Sequence, residues 1–141
     1  MSALQFDIIT ADRVVYSQEA DVIVAPGIEG ELGILPGHSP LMTILKTGEL
    51  VVKKRDDEDY IAIAGGFIEV LDDKVVILAD GAERAEEIDI ARAEEAKRRA
   101  EDRLTTSSAS SDLTRAEAAL RRSLIRIRVA EHRKKKRGHS P

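Results

Sequence analysis

Up to about Asp80 the chain is a series of short apolar runs, many alternating with polar residues: LQFDIIT, ADVIVAP, GELGILP, LMTILK, GELVVKK, DYIAIAGG, FIEVL and KVVILA. They are rich in Val and Ile and separated by Gly, Pro and Asp, which is the pattern of β-strands. Ala20-Asp21-Val22-Ile23-Val24 shows the period of two directly, and Lys46-Thr47-Gly48-Glu49 and Leu71-Asp72-Asp73-Lys74 read as turns. No helical period interrupts the runs and no strand-helix-strand rhythm appears. The spacing predicts an antiparallel sandwich or barrel and excludes the parallel-sheet nucleotide-binding folds.

After Asp80 the period changes to that of a helix. One helix is predicted from about Ile88 to Leu104, then a Thr-Thr-Ser-Ser-Ala-Ser-Ser loop, then a second helix from about Asp112, read as its N-cap, to Arg133 or beyond. Ala93, Ala96, Ala100 and Leu104 form one apolar stripe; Leu113, Ala116, Leu120, Leu124 and Ile127 form another. A short loop makes the helices antiparallel neighbours, and alanines let them approach closely. At about 25 cal/mol per Å2 an alanine stripe contributes little, so closure of the pair is expected to be marginal. The fold class is therefore α+β, with a β-domain over residues 1–84 and a helical hairpin with a basic tail over 85–141.

Composition narrows the picture. Of 141 residues 43% are hydrophobic and 34% charged, and no apolar run approaches the roughly 20 residues of a membrane span. The start MSALQFDIIT lacks a secretory pattern, so a soluble, cytosolic protein is expected. The absence of Cys removes disulfides, thiolate nucleophiles and zinc-thiolate sites. The net charge of −4 hides a gradient: residues 1–80 carry −9, residues 81–104 carry −2, and residues 105–141 carry +7. Such asymmetry points to different partners at the two ends.

In an antiparallel hairpin turning near residue 108, Arg92 faces the neighbourhood of residue 125 and Arg99 that of residue 118. Arg92 and Arg99 then lie about 10 Å apart on one face, and Arg122 and Arg126 one turn apart on the other helix. All four border the apolar stripes, with Arg115 a lesser companion. Such a groove is relieved by a multivalent anion such as a phosphate chain; the plainer alternative is arginines that snorkel or pair with Glu. Asp89, one turn before Arg92, is placed to hold an arginine or accept from a sugar or base. There is no phosphate-binding glycine loop, no His-Glu-x-x-His, and no serine nucleophile elbow, and His38, His132 and His139 are scattered. A regulator or adaptor is expected, not an enzyme. The tail Arg133-Lys134-Lys135-Lys136-Arg137 suits nucleic acid in charge, but 3% aromatic residues and an acidic first domain argue against that partner.

Three blocks, Gly30-Glu31-Leu32-Gly33-Ile34-Leu35-Pro36-Gly37-His38-Ser39-Pro40-Leu41, Ala64-Gly65-Gly66-Phe67-Ile68-Glu69-Val70 and Ala82-Glu83-Arg84-Ala85, resemble the signature of the epsilon subunits of bacterial F-type ATP synthases. The resemblance runs from about Phe6 to Glu131. It implies a ten-stranded β-sandwich that grips the gamma subunit and sits on the membrane-embedded c-ring, peripheral on the cytoplasmic face of the cell membrane, in a rotor coupled to protons or sodium ions. The loop matching Glu29 to His38 faces the c-ring in that family, making Glu31 and His38 contact candidates. Some members bind ATP through an Ile-Asp-x-x-Arg-Ala motif, here Ile88-Asp89-Ile90-Ala91-Arg92-Ala93. Glu83, Arg99, Arg122 and Arg126 match further ATP contacts. No metal ligand is assigned, and whether magnesium joins the nucleotide is left open. The family mechanism has ATP holding the hairpin folded; without it the helices extend along gamma, toward the alpha and beta subunits, and block ATP hydrolysis. A free-standing ATP sensor is the alternative reading. The basic tail after Arg133 is longer than is common in the family.

Overall fold

The computed structural model describes residues 3–138, which separate after Arg84 into two compact units. The first holds eight strands: β1 (Leu4–Ile9), β2 (Val14–Ala20), β3 (Val22–Gly27), β4 (Gly30–Ile34), β5 (Leu41–Lys54), β6 (Asp57–Leu71), β7 (Lys74–Ala79) and β8 (Ala82–Arg84). Strand order is β2-β1-β7-β6-β5-β3-β4, with β8 also paired to β6. β5 and β6 are long because each serves two layers. Residues 41–45 of β5 pair with 66–70 of β6, which continues to β7, β1 and β2. Further along, Val51–Lys53 of β5 pair with β3, and Ile61–Ile63 of β6 with β8. Counting each half separately gives two layers of five segments, the sandwich alternative of the sequence reading. One pairing, β1 with β7, is parallel.

The predicted turn at Lys46–Glu49 is not one: β5 runs through it. Gly48 is present for a different reason, since a Cβ there would lie 2.6 Å from the Pro26 side chain of β3. Likewise DYIAIAGG and FIEVL form one strand. Gly65 and Gly66 bend it at φ of 107° and 138°, and a Cβ on Gly66 would clash with the Leu78 carbonyl oxygen. The turn at Leu71–Lys74 is as read, with Asp72 and Asp73 both at positive φ. Two strands escaped the pattern: β2, whose VVYSQEA buries residues without alternation, and the three-residue β8.

Alternate residues of both layers meet in one core. Leu4, Phe6, Ile8, Ile68, Val70, Val75 and Ile77 come from one side, and Ile23, Ile34, Leu50, Val52, Ile61 and Ile63 from the other, all essentially without solvent contact. Each large side chain so buried contributes about 1.5–3 kcal/mol. Phe6 packs its ring against Tyr16 with centroids 5.7 Å apart, and the Tyr16 hydroxyl donates to Asp59 at 3.0 Å. At the surface Tyr60 donates to Glu58, which with partial burial and the Glu49 charge pushes the phenol up to about 12.

The second unit opens with a 3-10 turn (Ala85–Glu87), followed by α1 (Ile90–Thr106) and α2 (Ser110–Gly138). Asp89 caps α1, its carboxylate accepting from the Arg92 backbone N–H at 3.1 Å. The predicted cap of α2 is displaced: the helix begins at Ser110, leaving Asp112 inside its first turn and a linker of only Ser107–Ala109. The buried surface of the helices is mostly small residues seven apart, Ala93 and Ala100 on α1 and Ala116, Ser123 and Ala130 on α2, with Val129 beside the last. Leu124 is not part of it, being 46% exposed, while its neighbour Ser123 is buried. The Ser123 hydroxyl donates to the Ala119 carbonyl at 2.9 Å, so its burial leaves no polar group unsatisfied. Leu104, Leu113, Leu120 and Ile127 are half-buried beside this line. Arg133 ties the far end of α2 to the opening turn, donating to the carbonyls of Ala85 and Glu86 at 2.9 and 3.0 Å. Lys134 to Gly138 of the basic tail continue α2; His139 to Pro141 lie outside the described residues.

Gly66→Ala is expected to destabilise the sandwich by about 3 kcal/mol, whereas Gly33→Ala, with open space around its Cβ position, should stay within about 1 kcal/mol; urea denaturation of the two variants measures both. Because the folded-state pKa of Tyr60 is raised, its contribution is fully present below about pH 10 and is lost as pH rises toward about 12. Tyr60→Phe should therefore flatten the loss of stability in an alkaline denaturation series.

Candidate functional site

At 100° per residue, the buried direction of α1 is set by Ala93 and Ala100, and Arg92, Arg99 and Arg103 lie about 80–120° to one side of it. On α2, taking Ala116 and Ser123 as the buried direction, Arg115, Arg122, Arg126 and Arg133 lie about 80–120° to the side of the same hand. In an antiparallel pair, flanks of the same hand fall on one edge. One edge of the hairpin is therefore lined by arginines from both helices. The opposite edge carries Ile90, Glu94 and Glu101 with Leu113, Glu117, Leu120 and Leu124.

The loop, centred on Ser108, puts Ala93 level with Ser123 and Ala100 level with Ala116. Arg92 is thus beside Arg122 and Arg126 across the edge, and Arg99 follows two turns along α1. Arg92 and Arg122 are exposed, Arg126 is half-buried, and Arg99 is paired with Glu95 at 3.2 Å in a solvent-exposed bridge. That bridge is worth little and is readily exchanged. Ile88 and Ala93 are buried, and Asp89 is exposed with its carboxylate turned to the helix start. Of the sequence-derived residues, Ile88, Asp89, Arg92, Ala93, Arg99, Arg122 and Arg126 all belong to the hairpin unit. Glu83 belongs to the sandwich, half-buried on β8 opposite Ala62. Arg103 was missed; its signal is its position four residues after Arg99. Among the described residues no group of His, Asp or Glu is arranged to hold a metal.

Glu31 is exposed on β4, close to the β3–β4 turn. His38 is half-buried in the loop after β4, donating from Nδ1 to the Ser39 carbonyl at 2.6 Å. The neighbouring Gly37 N–H donates to Asp73 at 2.7 Å, fixing this loop to the β6–β7 turn.

A second surface was not foreseen. Ile44, Phe67, Leu78 and Ile9 are cross-strand neighbours on β5, β6, β7 and β1, and the first three are 46–55% exposed, with Met42 at 70% beside them. This forms a continuous apolar row on the outside of one layer. Its signal in the sequence is the loss of alternation in Val75-Val76-Ile77-Leu78 and Phe67-Ile68, where both faces of a strand are apolar.

Together these define a β-sandwich followed by an arginine-edged helical hairpin, and comparison with known proteins identifies the class. The beta-sandwich domain of the ATP synthase delta/epsilon chain matches residues 3–85, and its long alpha-helix domain matches residues 86–131. The chain belongs to this family, on the side of the bacterial epsilon chains. It is 55% identical over 136 residues to the ATP synthase epsilon chain of Dehalococcoides mccartyi, covering 96% of this chain and 97% of that one. With the epsilon chain of Desulforamulus reducens it shares 50% identity over 127 residues, covering 90% and 96%. A chain in the Euglena gracilis mitochondrial ATP synthase structure, OSCP/F1/c-ring in rotational state 1, superposes with a TM-score of 0.78 at 26% identity, covering 92% and 82%. The chain is accordingly an accessory stalk subunit of an ATP synthase, and no helix among the described residues is long and apolar enough to cross a membrane.

Asp89→Ala removes the cap of α1 and should lower hairpin stability by about 1 kcal/mol, with Asp89→Asn retaining most of it; thermal melts followed by circular dichroism distinguish the two.

Proposed function

We propose that this subunit is a rotor element whose sandwich anchors it to gamma and the c-ring, and whose hairpin brakes ATP hydrolysis and is held folded by ATP. The observation that carries the ATP reading is the convergence of Arg92, Arg99, Arg122 and Arg126 on one edge of a hairpin whose buried contact is mostly small residues. The triphosphate neutralises guanidiniums that otherwise repel one another. Ile88 and Ala93 shape the first turn, and Asp89 is an acceptor for sugar or base. A ligand that binds only the folded hairpin shifts the population toward it. Without ATP, the weak contact of Ala93 and Ala100 with α2 releases the helices to extend along gamma. The +7 charge of residues 105–141 then meets acidic segments of the alpha and beta subunits.

The exposed row Ile44, Phe67, Leu78 supports anchoring, and it favours this reading over a free-standing ATP sensor, which has no use for an apolar face. Gamma is assigned to that row. Glu31 and His38, on and after β4, are assigned to the c-ring, which places the subunit on the cytoplasmic face of the membrane in a proton- or sodium-driven motor.

Calorimetric titration of the full chain with ATP should give saturable heat that Arg92→Ala and Arg126→Ala each reduce by about tenfold in affinity, the loss of one charge-assisted contact. No heat at millimolar ATP, or unaltered affinity in both variants, refutes ATP binding. Phe67→Asp should abolish co-purification with gamma while leaving the chain folded. Removal of residues 85–141 should raise ATP hydrolysis by the assembled enzyme, and unchanged hydrolysis rules out the brake.

A further inference from the structure

The arginine edge continues past the residues assigned to ATP. At the loop end of the hairpin a cleft of about 380 Å3 is lined by Arg103, Ser107, Asp112 and Arg115. The four come from the last turn of α1, the linker and the first two turns of α2. Two arginines therefore line one concave space. Among the described residues neither has an ion-pair partner, and Asp112, in the same cleft, is not within pairing distance of either. It accepts only a long contact from the Ser107 hydroxyl, at 3.4 Å. The backbone N–H of Ser107 is already used, donating to the Arg103 carbonyl at 3.0 Å.

We infer that this cleft binds a phosphate group, and that Asp112 makes it select phosphate over sulfate. Two planar guanidiniums offer paired donors to a tetrahedral oxyanion, and the Ser107 hydroxyl adds one more by turning from its long contact with Asp112. An ionised carboxylate only accepts hydrogen bonds, so Asp112 repels an oxyanion with no proton and accepts from one that carries a P–OH. Phosphate near neutral pH keeps such a proton; sulfate does not. Arg103 and Arg115 supply the attraction, and Asp112 supplies the discrimination. This reading is independent of ATP at Arg92 and Arg126, and the test uses no nucleotide, so the failure of either leaves the other standing.

The test is calorimetric titration of the nucleotide-free full chain with inorganic phosphate and with sulfate at matched ionic strength, with backbone amide NMR to locate the binding. Phosphate should bind about tenfold more tightly than sulfate, the value of one charge-assisted hydrogen bond, and shift the amides of Ser107 and Asp112. Arg103→Gln combined with Arg115→Gln should abolish binding, and Asp112→Asn should remove the preference by raising sulfate affinity. Equal affinity for the two anions, amide shifts elsewhere, or binding unaltered in the double variant overturns the inference. Should the double variant lose helicity, the phosphate-to-sulfate ratio in Asp112→Asn decides: a retained preference overturns it and a lost preference supports it.

Discussion

The sandwich depends on the bend in β6. Glycine at 65 and 66 lets a fifteen-residue strand turn from one layer into the other without losing its pairing with β5, which turns alongside it. Because both strands cross, the two layers share two continuous strands and a single core. Any side chain at 66 drives into the backbone of β7, so the constraint is steric and local while its effect extends over the whole domain. The outward row Ile44–Phe67–Leu78 also follows from it, since these residues stand on the halves of β5 and β6 that the bend brings beside β7.

How much of this could be read from the chain differs between its halves. Most strands, the Asp72–Asp73 turn, the change to helices after Asp80 and the border of the arginines on the apolar stripes all follow from local periodicity. What failed was the meaning of glycine. Gly48 and Gly65–Gly66 were read as punctuation because turns and close contacts use the same residue, and only the third dimension shows Pro26 above Gly48 or the Leu78 carbonyl above Gly66. The stripe on α2 was misread at Leu124 for a related reason. Sequence patterns reward large apolar residues, whereas this contact selects small ones, so Ser123 and not Leu124 faces α1. Asp112 has the right chemistry for a cap, but Ser110 is where the helix begins.

The two units differ in what holds them. The sandwich buries large aliphatic side chains from both layers, and its backbone pairings are long and continuous. The hairpin meets mainly through alanines and one serine, with Val129 buried near the end of α2, half-buried leucines at the margin, and Arg133 gripping the carbonyls of Ala85 and Glu86. The function proposed above, a sandwich seated on a stalk and a hairpin that responds to ATP, needs this difference in stability. In a single cooperative core, any response of the hairpin would cost the seat.

The linker Ser107–Ala109 also sets a length scale. Its three residues span at most about 10 Å, while α1 is about 26 Å long and α2 about 44 Å. So short a joint leaves little slack: opening the pair swings α2 as one rigid arm about a nearly fixed pivot. The distance from that pivot to the basic end of the chain is then set by helix geometry, which makes the hairpin a ruler whose reach is written in the residue count of α2.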